Sequence, residues 1–418
     1  MRLSVQKFQR MNSNWILIIS SSLILVSYLF NFITKKTNIP SVLLLISLGV
    51  GLRLFADSRG FYVGRVNDTL PVLGTVGLIL IVLEGAMELE LDRKKSKLIW
   101  QSLLAALGIL LATAFTMATP LAIAYGDFHR GLLNAVPLAV ISSAIAIPSV
   151  ANLTDPRKKE FITYESSFSD ILGIMLFNFV LMNDELTMAS MLHFIVEVIG
   201  ILLMSLLGCI VLVYLMSRIT QHVKFFLIIA LLILVYSLAK LFHLSPLLLI
   251  LAFGLMMNNI NLVIPNFLRQ YLIHDKLDEE LPVFKSITAE SAFLIRTYFF
   301  VLFGFSIDLQ SLTNPKVWLI GTIMVTTLYA MRAMYLKWIL NIPLLPELFI
   351  APRGLITILI FFGIPATMVL PDFSGVLLFT IIGTNVIMSA GLIYYGRQTG
   401  KVIAAPELSD TSDLPAGS

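Results

Sequence analysis

Uninterrupted apolar runs of about 20 residues follow one another through almost the whole chain, the length a helix needs to cross the hydrocarbon core of a bilayer. In hydrocarbon every backbone amide and carbonyl must find a partner within the protein, which leaves helices and closed barrels as spanning structures. About thirteen stretches satisfy this rule: roughly 15–33, 41–55, 70–88, 98–124, 132–153, 162–182, 191–217, 224–242, 246–259, 286–309, 316–338, 347–370 and 374–395. The ninth is short and is compatible with a re-entrant segment. Charged residues make up 13% of the chain, about half the usual share in soluble domains. This excludes a soluble enzyme, a disordered chain and a nucleic-acid binder. The expected fold is an all-α polytopic membrane protein. Residues 1–396 form one transmembrane domain, and 397–418 are a short polar tail on the cytoplasmic side, expected to be disordered. The charged patch Asp275, Lys276, Asp278, Glu279 and Glu280 falls in the longest loop, 260–285, and reads as solvated. A single cysteine, Cys209, excludes a disulfide framework. The first run, from Trp15 to Ile33, is long enough to remain as a span.

Net charge is only +4, and basic residues gather in alternate short loops. Lys35 and Lys36, Arg93 to Lys97, Arg157 to Lys159, Arg218 and Lys224, Arg269 to Lys285, and Lys337 lie in odd-numbered loops, against Arg59, Arg65, Arg130 and Lys316 in even ones. The excess of Lys and Arg on cytoplasmic loops puts the N-terminus outside and the C-terminus in the cytoplasm of a multi-pass plasma (inner) membrane protein. The basic segment Arg2, Lys7, Arg10 argues the other way and is outnumbered.

Ionisable groups inside spans are costly and point to function. Those present are Glu84, Glu165, Asp170, Glu197, Glu290, Arg296, Arg332 and Arg353. Asp170 stands about eight residues, or about 12 Å, into the sixth stretch, near the bilayer centre. Ser166 is four residues before it and shares its helix face. A hydroxyl and a carboxylate on one face suit a hard cation or a proton. Glu84 lies at comparable depth and can add a second carboxylate. Glu165 and Arg332 are both shallow and at matching depth, so they can pair. A static buried ion pair is the competing reading for Asp170, while interhelical pairing or snorkelling is the simpler reading for Glu197, Glu290 and Arg296.

Two stretches carry helix breakers. Ile141-Ser142-Ser143-Ala144-Ile145-Ala146-Ile147-Pro148 interrupts the fifth, where Pro148 removes a backbone bond, and Ala351-Pro352-Arg353-Gly354 interrupts the twelfth. Seven stretches apart, they cross the membrane in opposite directions. Interrupted helices at matching places in two halves point to an inverted-repeat transporter with a midplane site.

These residues resemble the monovalent cation:proton antiporters, most closely the electroneutral sodium/proton exchanger branch. Glu165-Ser166-Ser167-Phe168-Ser169-Asp170 is similar to that branch's Glu-Ser-x-Phe-Asn-Asp motif. Leu83-Glu84-Gly85-Ala86-Met87-Glu88-Leu89 resembles its Phe-Glu-Gly-Gly-x-Glu-Leu stretch. Phe299 to Gly304 and Pro352-Arg353-Gly354 also fit. The resemblance implies a core bundle moving against a dimerisation scaffold in a homodimer, with Asp170 binding cation and proton in turn. It further implies that Ser166 and Glu84 assist at the site, and that Glu165 pairs with Arg332 as a structural bridge. The expected cation site is therefore Asp170, Ser166 and Glu84 with Ser143 and Ala144 of the fifth-stretch break, supported by Pro148, Ser169, Arg353 and Gly354. Two departures stand out. The family's Thr-Asp-Pro in the broken helix is replaced around Ser143-Ala144-Ile145, so no acid is available there. Thr154-Asp155-Pro156 falls in a basic loop and reads as a turn. Ser169 stands where the electroneutral branch has Asn and the electrogenic branch Asp, so it adds no charge.

The function expected is exchange of sodium for protons, electroneutral, by competition at Asp170. Potassium/proton exchange is the nearest alternative, with Na+ or K+ and H+ as substrates and no other cofactor. A channel would want pore-lining repeats, and nothing in the sequence marks one. A membrane-embedded enzyme would need a clustered nucleophile or metal site, and the five histidines are scattered.

Overall fold

The computed structural model describes residues 13–37, 40–58, 66–89, 91, 93–150, 153–183, part of 187–239, 246–260, 276–306 and 309–398. All regular structure among them is helical. The helices are α1 (Ser13–Thr37), α2 (Ser41–Ser58), α3 (Val66–Glu88), α4 (Ser96–Tyr125), α5 (Phe128–Ala139), α6 (Ser143–Ser149) and α7 (Pro156–Met182). After the partly described 187–239 come α8 (Pro246–Asn258), α9 (Lys276–Ser306), α10 (Pro315–Met334), α11 (Leu355–Phe362) and α12 (Phe373–Gln398). Seven helical segments among the described residues are long and apolar enough to cross a membrane, with α5 and α6 counted as one. The chain is a polytopic α-helical membrane protein.

Local chemistry sets the ends of these helices. Gly126 closes α4 in a left-handed conformation (φ 79°), its amide on the Ala122 carbonyl at 2.7 Å. Asp127 then caps α5 by accepting from the Arg130 amide. The turn expected at Thr154-Asp155-Pro156 is the start of α7: Asp155 accepts from the amides of Arg157 and Lys158, and Pro156 takes the first helical position.

Close packing gathers the interior helices around α3 and α7. The α3 helix lies against α8 and α9, and α7 against α4, α5 and α6. Helices α2 and α9 meet through Gly49 and Gly304, where a Cβ on either residue would overlap a carbonyl oxygen of the facing helix. Small residues at such crossings let backbones approach within van der Waals reach.

Three expectations are corrected. The first interruption lies at Val140–Ser142, before Pro148, which sits in the last turn of α6. The reason is that partners outside the helix capture three successive amides there, as described below. The twelfth stretch is a half-helix: residues 340–354 run as turns and extended chain, and only α11 is helical before the turns at 363–372. Pro343, Pro346, Pro352, Pro365 and Pro371 punctuate these segments and deny the helix its donors. Finally, α9 begins at Lys276, so residues 276–285 of the expected 260–285 loop are helix. Glu197, Cys209, residues 261–275 and the tail from 399 lie outside the described residues.

Candidate cation-exchange site

The site is built where the two interruptions cross. Extended backbone at Val140–Ser142 would leave amides and carbonyls bare in a buried place, which is costly unless each finds a partner. The Ile141 amide donates to Ser169 Oγ at 2.9 Å, the Ser142 amide to the Pro352 carbonyl at 2.9 Å, and the Ser143 amide to Asp170 Oδ2 at 3.2 Å. On the carbonyl side, Arg353 reaches back across the crossing. Its Nε donates to Leu138 O at 2.7 Å and its Nη2 to Ala139 O at 2.8 Å, while Nη1 donates to Ala351 O at 2.7 Å. Arg353's own backbone is held in turn, its amide by Thr384 Oγ1 and its carbonyl by Asn385 Nδ2. Gly354 lets the chains pass closely, since a Cβ there would overlap Ile145 Cδ1, stand 2.9 Å from Ser142 Oγ and push both side chains aside. One guanidinium thus replaces the helical donors that the break removed.

Asp170 sits at the edge of this crossing. Its Oδ2 accepts from both the amide and the hydroxyl of Ser143, while Oδ1 is buried with no hydrogen-bond partner among the described residues. The carboxylate lines a cavity of about 80 Å3, walled by Glu84, Gly85 and Glu88 of α3, Ser143, Ala144 and Pro148 of α6, Ser167 of α7 and Arg296 of α9. A single water needs about 10–15 Å3 of such space, so there is room for several waters or a partly hydrated monovalent ion. A second cavity of about 250 Å3 shares Glu84 and Glu88 with the first and adds Lys285 and Ser286.

The expected residues fall into three groups. Asp170, Glu84, Ser143, Ala144 and Pro148 meet at the cavity, whereas Ser169, Arg353 and Gly354 hold the crossing behind it. Glu165 and Arg332 form a bidentate pair at 2.6 and 2.9 Å, both fully buried. Arg332 also donates from Nε and Nη2 to the Glu347 carbonyl, and the Glu347 carboxylate stands 3.6 Å from Lys158 Nζ. Ser166 is not on the cavity. Its hydroxyl donates back to the Thr163 carbonyl at 3.2 Å, and Ser167 takes its place on the cavity wall with Asp170. Positions 167 and 170 are three apart, which shares a helix face as well as a spacing of four does.

Arg296 is the other residue that the sequence undervalued. It crosses from α9 to donate from Nη2 to Glu84 Oε2. Of the histidines, His129 is engaged with the Val180 carbonyl at 2.7 Å, and the others lie outside the described residues.

The model of the family described as "Sodium/hydrogen exchanger, transmembrane" matches residues 21–393. The chain belongs to the sodium/hydrogen exchanger family. The exchanger is therefore a cation/proton antiporter, a transporter and not an enzyme. Its fold is similar to the sodium proton antiporter MjNhaP1 from Methanocaldococcus jannaschii at pH 8, with a TM-score of 0.70 and 18% identity over 91% of this chain and 100% of that one. An electron-microscopy map of the same antiporter gives 0.68 at 18% identity, covering 97% and 100% of the two chains. No curated protein matches the exchanger significantly by sequence.

Proposed function

We propose that this exchanger moves one sodium ion against one proton by competition for Asp170, with potassium as the alternative cation. The observation that carries the reading is the buried, open Oδ1 of Asp170 on a small cavity. Oδ2 is fixed by Ser143, so the group is held in place while one oxygen stays available. A cation there has Asp170 Oδ1 and Ser167 Oγ within the same cavity, together with water; a proton on Asp170 displaces it. Either way the carboxylate is neutralised and the carrier can change access. A bare carboxylate is too poorly solvated in the protein interior to make the crossing, so the return trip requires a counter-substrate. That requirement is exchange.

The cycle is electroneutral in this reading, because one titrating carboxylate trades one charge for one charge. The remaining parts of the reading are a homodimer in the plasma membrane, with the N-terminus outside and the C-terminus cytoplasmic. Purified exchanger in proteoliposomes enclosing a pH-sensitive dye tests the reading. Sodium, potassium and lithium are added in turn, with and without an imposed membrane potential. Proton movement driven by sodium and indifferent to the potential is expected. A cation-evoked current, or a response to potential, overturns the one-for-one cycle, and a potassium-only response replaces the cation.

A further inference from the structure

We propose that Glu88 and Thr288 form an outer station for the transported monovalent cation, on the path between the surface and Asp170. The inference rests on the exchange reading above and adds a second binding place to it. Glu84 and Glu88 stand four residues apart at the end of α3 and share a helix face. Lys285 and Thr288, three apart, do the same on α9, which packs against α3. Residues of both helices line the cavity of about 250 Å3, which shares Glu84 and Glu88 with the 80 Å3 cavity of Asp170. Glu84 is held by Arg296. Glu88 is exposed, so one carboxylate reaches water, the outer cavity and the inner one.

Thr288 supplies the second observation. It is 1% exposed, lines the outer cavity with Glu88, and its Oγ1 is buried with no hydrogen-bond partner among the described residues. A helical threonine can satisfy its hydroxyl on the carbonyl four residues back, as Thr163 does on Lys159 and Thr297 on Phe293. Thr288 leaves that oxygen open, at a cost to the folded state. A hydroxyl and a carboxylate together are ligands for a hard cation. At about 10–15 Å3 for each water, the outer cavity has room for an ion that keeps several of its waters. The charges are graded along the path. Lys285 lines the outer cavity and not the inner one, whereas Asp170 lines the inner and not the outer. A cation leaving Glu88 inward therefore moves away from a like charge and toward an opposite one.

Two measurements test the station. The first is sodium-driven proton movement in inside-out and right-side-out membrane vesicles, for Glu88→Gln and Thr288→Val. Sodium is added to one face at a time. At the cytoplasmic face, Glu88→Gln is expected to weaken apparent sodium affinity about tenfold, since a full charge beside the ion is lost. Thr288→Val is expected to weaken it about threefold there. Affinity at the other face stays at the wild-type value. Equal weakening at both faces, or none at either, overturns the station. A loss confined to the opposite face keeps the station and reverses the orientation of the chain. The second measurement is thermal melting in detergent, in sodium chloride against choline chloride at equal ionic strength, with the inner carboxylate removed by Asp170→Asn. A sodium-dependent rise in melting temperature is expected in that variant and is lost when Glu88→Gln is added. No rise in Asp170→Asn, or a rise that survives Glu88→Gln, overturns the proposal. Should Glu88→Gln fail to fold, Thr288→Val carries both measurements. A wild type without sodium-driven proton movement defeats the exchange reading instead, and the melting series still judges the station.

Discussion

Helix α7 carries two buried acids five residues apart, and they live in opposite circumstances. Glu165 has both oxygens on Arg332 at 2.6 and 2.9 Å, and that arginine is also held by the Glu347 carbonyl through Nε and Nη2. Asp170 has one oxygen on Ser143 and one without a partner among the described residues. Five residues turn a helix by well over a full turn, so the two acids face different neighbours: α10 on one side, the crossing of the interruptions on the other. A carboxylate with both oxygens engaged by one guanidinium is a strut. One left half-answered beside a cavity can trade partners, and the same side-chain chemistry then does transport.

The sharpest way to break this comparison is to neutralise Asp170. Asp170→Asn keeps the shape and the bonds to Ser143 but removes the titrating charge. Sodium-driven proton movement in proteoliposomes should fall to that of empty vesicles, while the melting temperature in detergent stays near wild type. Residual exchange above that background would show that another group carries the proton.

Next in size is the strut. Replacing either Glu165 or Arg332 strands a fully buried charge, at about 3–5 kcal/mol of stability. Glu165→Gln and Arg332→Met together should cost clearly less than the sum of the two. Thermal melting of the four proteins in detergent gives the coupling, and additive losses would mean the pair is a coincidence of position.

How much of this could be read from the chain alone follows from range. Apolar run length announces a membrane bundle because the bilayer imposes it on each segment separately. Glu165 and Arg332 could be paired from depth alone, because two opposite charges at one level in hydrocarbon have few other choices. The interruptions were legible as Pro- and Gly-bearing runs, but their limits were not: the break at Val140–Ser142 is set by Ser169, Pro352 and Asp170, which are distant in sequence. Arg296 was ambiguous for the same reason, as nothing local says which acid it meets. Ser166 and Ser167 are adjacent hydroxyls, and a spacing of three or four residues admits both.

A third prediction concerns the guanidinium at the crossing. Arg353→Lys keeps a positive charge but cannot reach Leu138, Ala139 and Ala351 together, so buried carbonyls lose their donors. Each such acceptor costs about 1–3 kcal/mol. The variant should melt at lower temperature than wild type, with a smaller loss than either half of the Glu165 and Arg332 strut. It should also slow exchange without altering apparent sodium affinity, because the crossing shapes the carrier and does not touch the ion. A changed affinity with an unchanged rate would move Arg353 from scaffold to ligand.

The smallest effect separates two neighbouring serines, and it sharpens the comparison most finely. Ser167 Oγ is buried on the cavity without a hydrogen-bond partner among the described residues, whereas Ser166 Oγ is already spent on the Thr163 carbonyl. An unsatisfied buried hydroxyl is a burden to the folded state, and alanine is the better helix former. Ser167→Ala should therefore leave the melting temperature unchanged or raise it. If the hydroxyl is there for the ion, the same substitution weakens apparent sodium affinity by about three- to tenfold, the worth of one hydrogen-bond-strength contact. Ser166→Ala removes only a bond within the helix and should change stability by less than about 1 kcal/mol, with affinity at the wild-type value. Opposite movement of stability and affinity in Ser167→Ala marks a group kept for function against the interest of the fold. The reverse result, with affinity lost in Ser166→Ala and kept in Ser167→Ala, would mean that α7 rotates by about one residue position, about 100°, when the ion is bound.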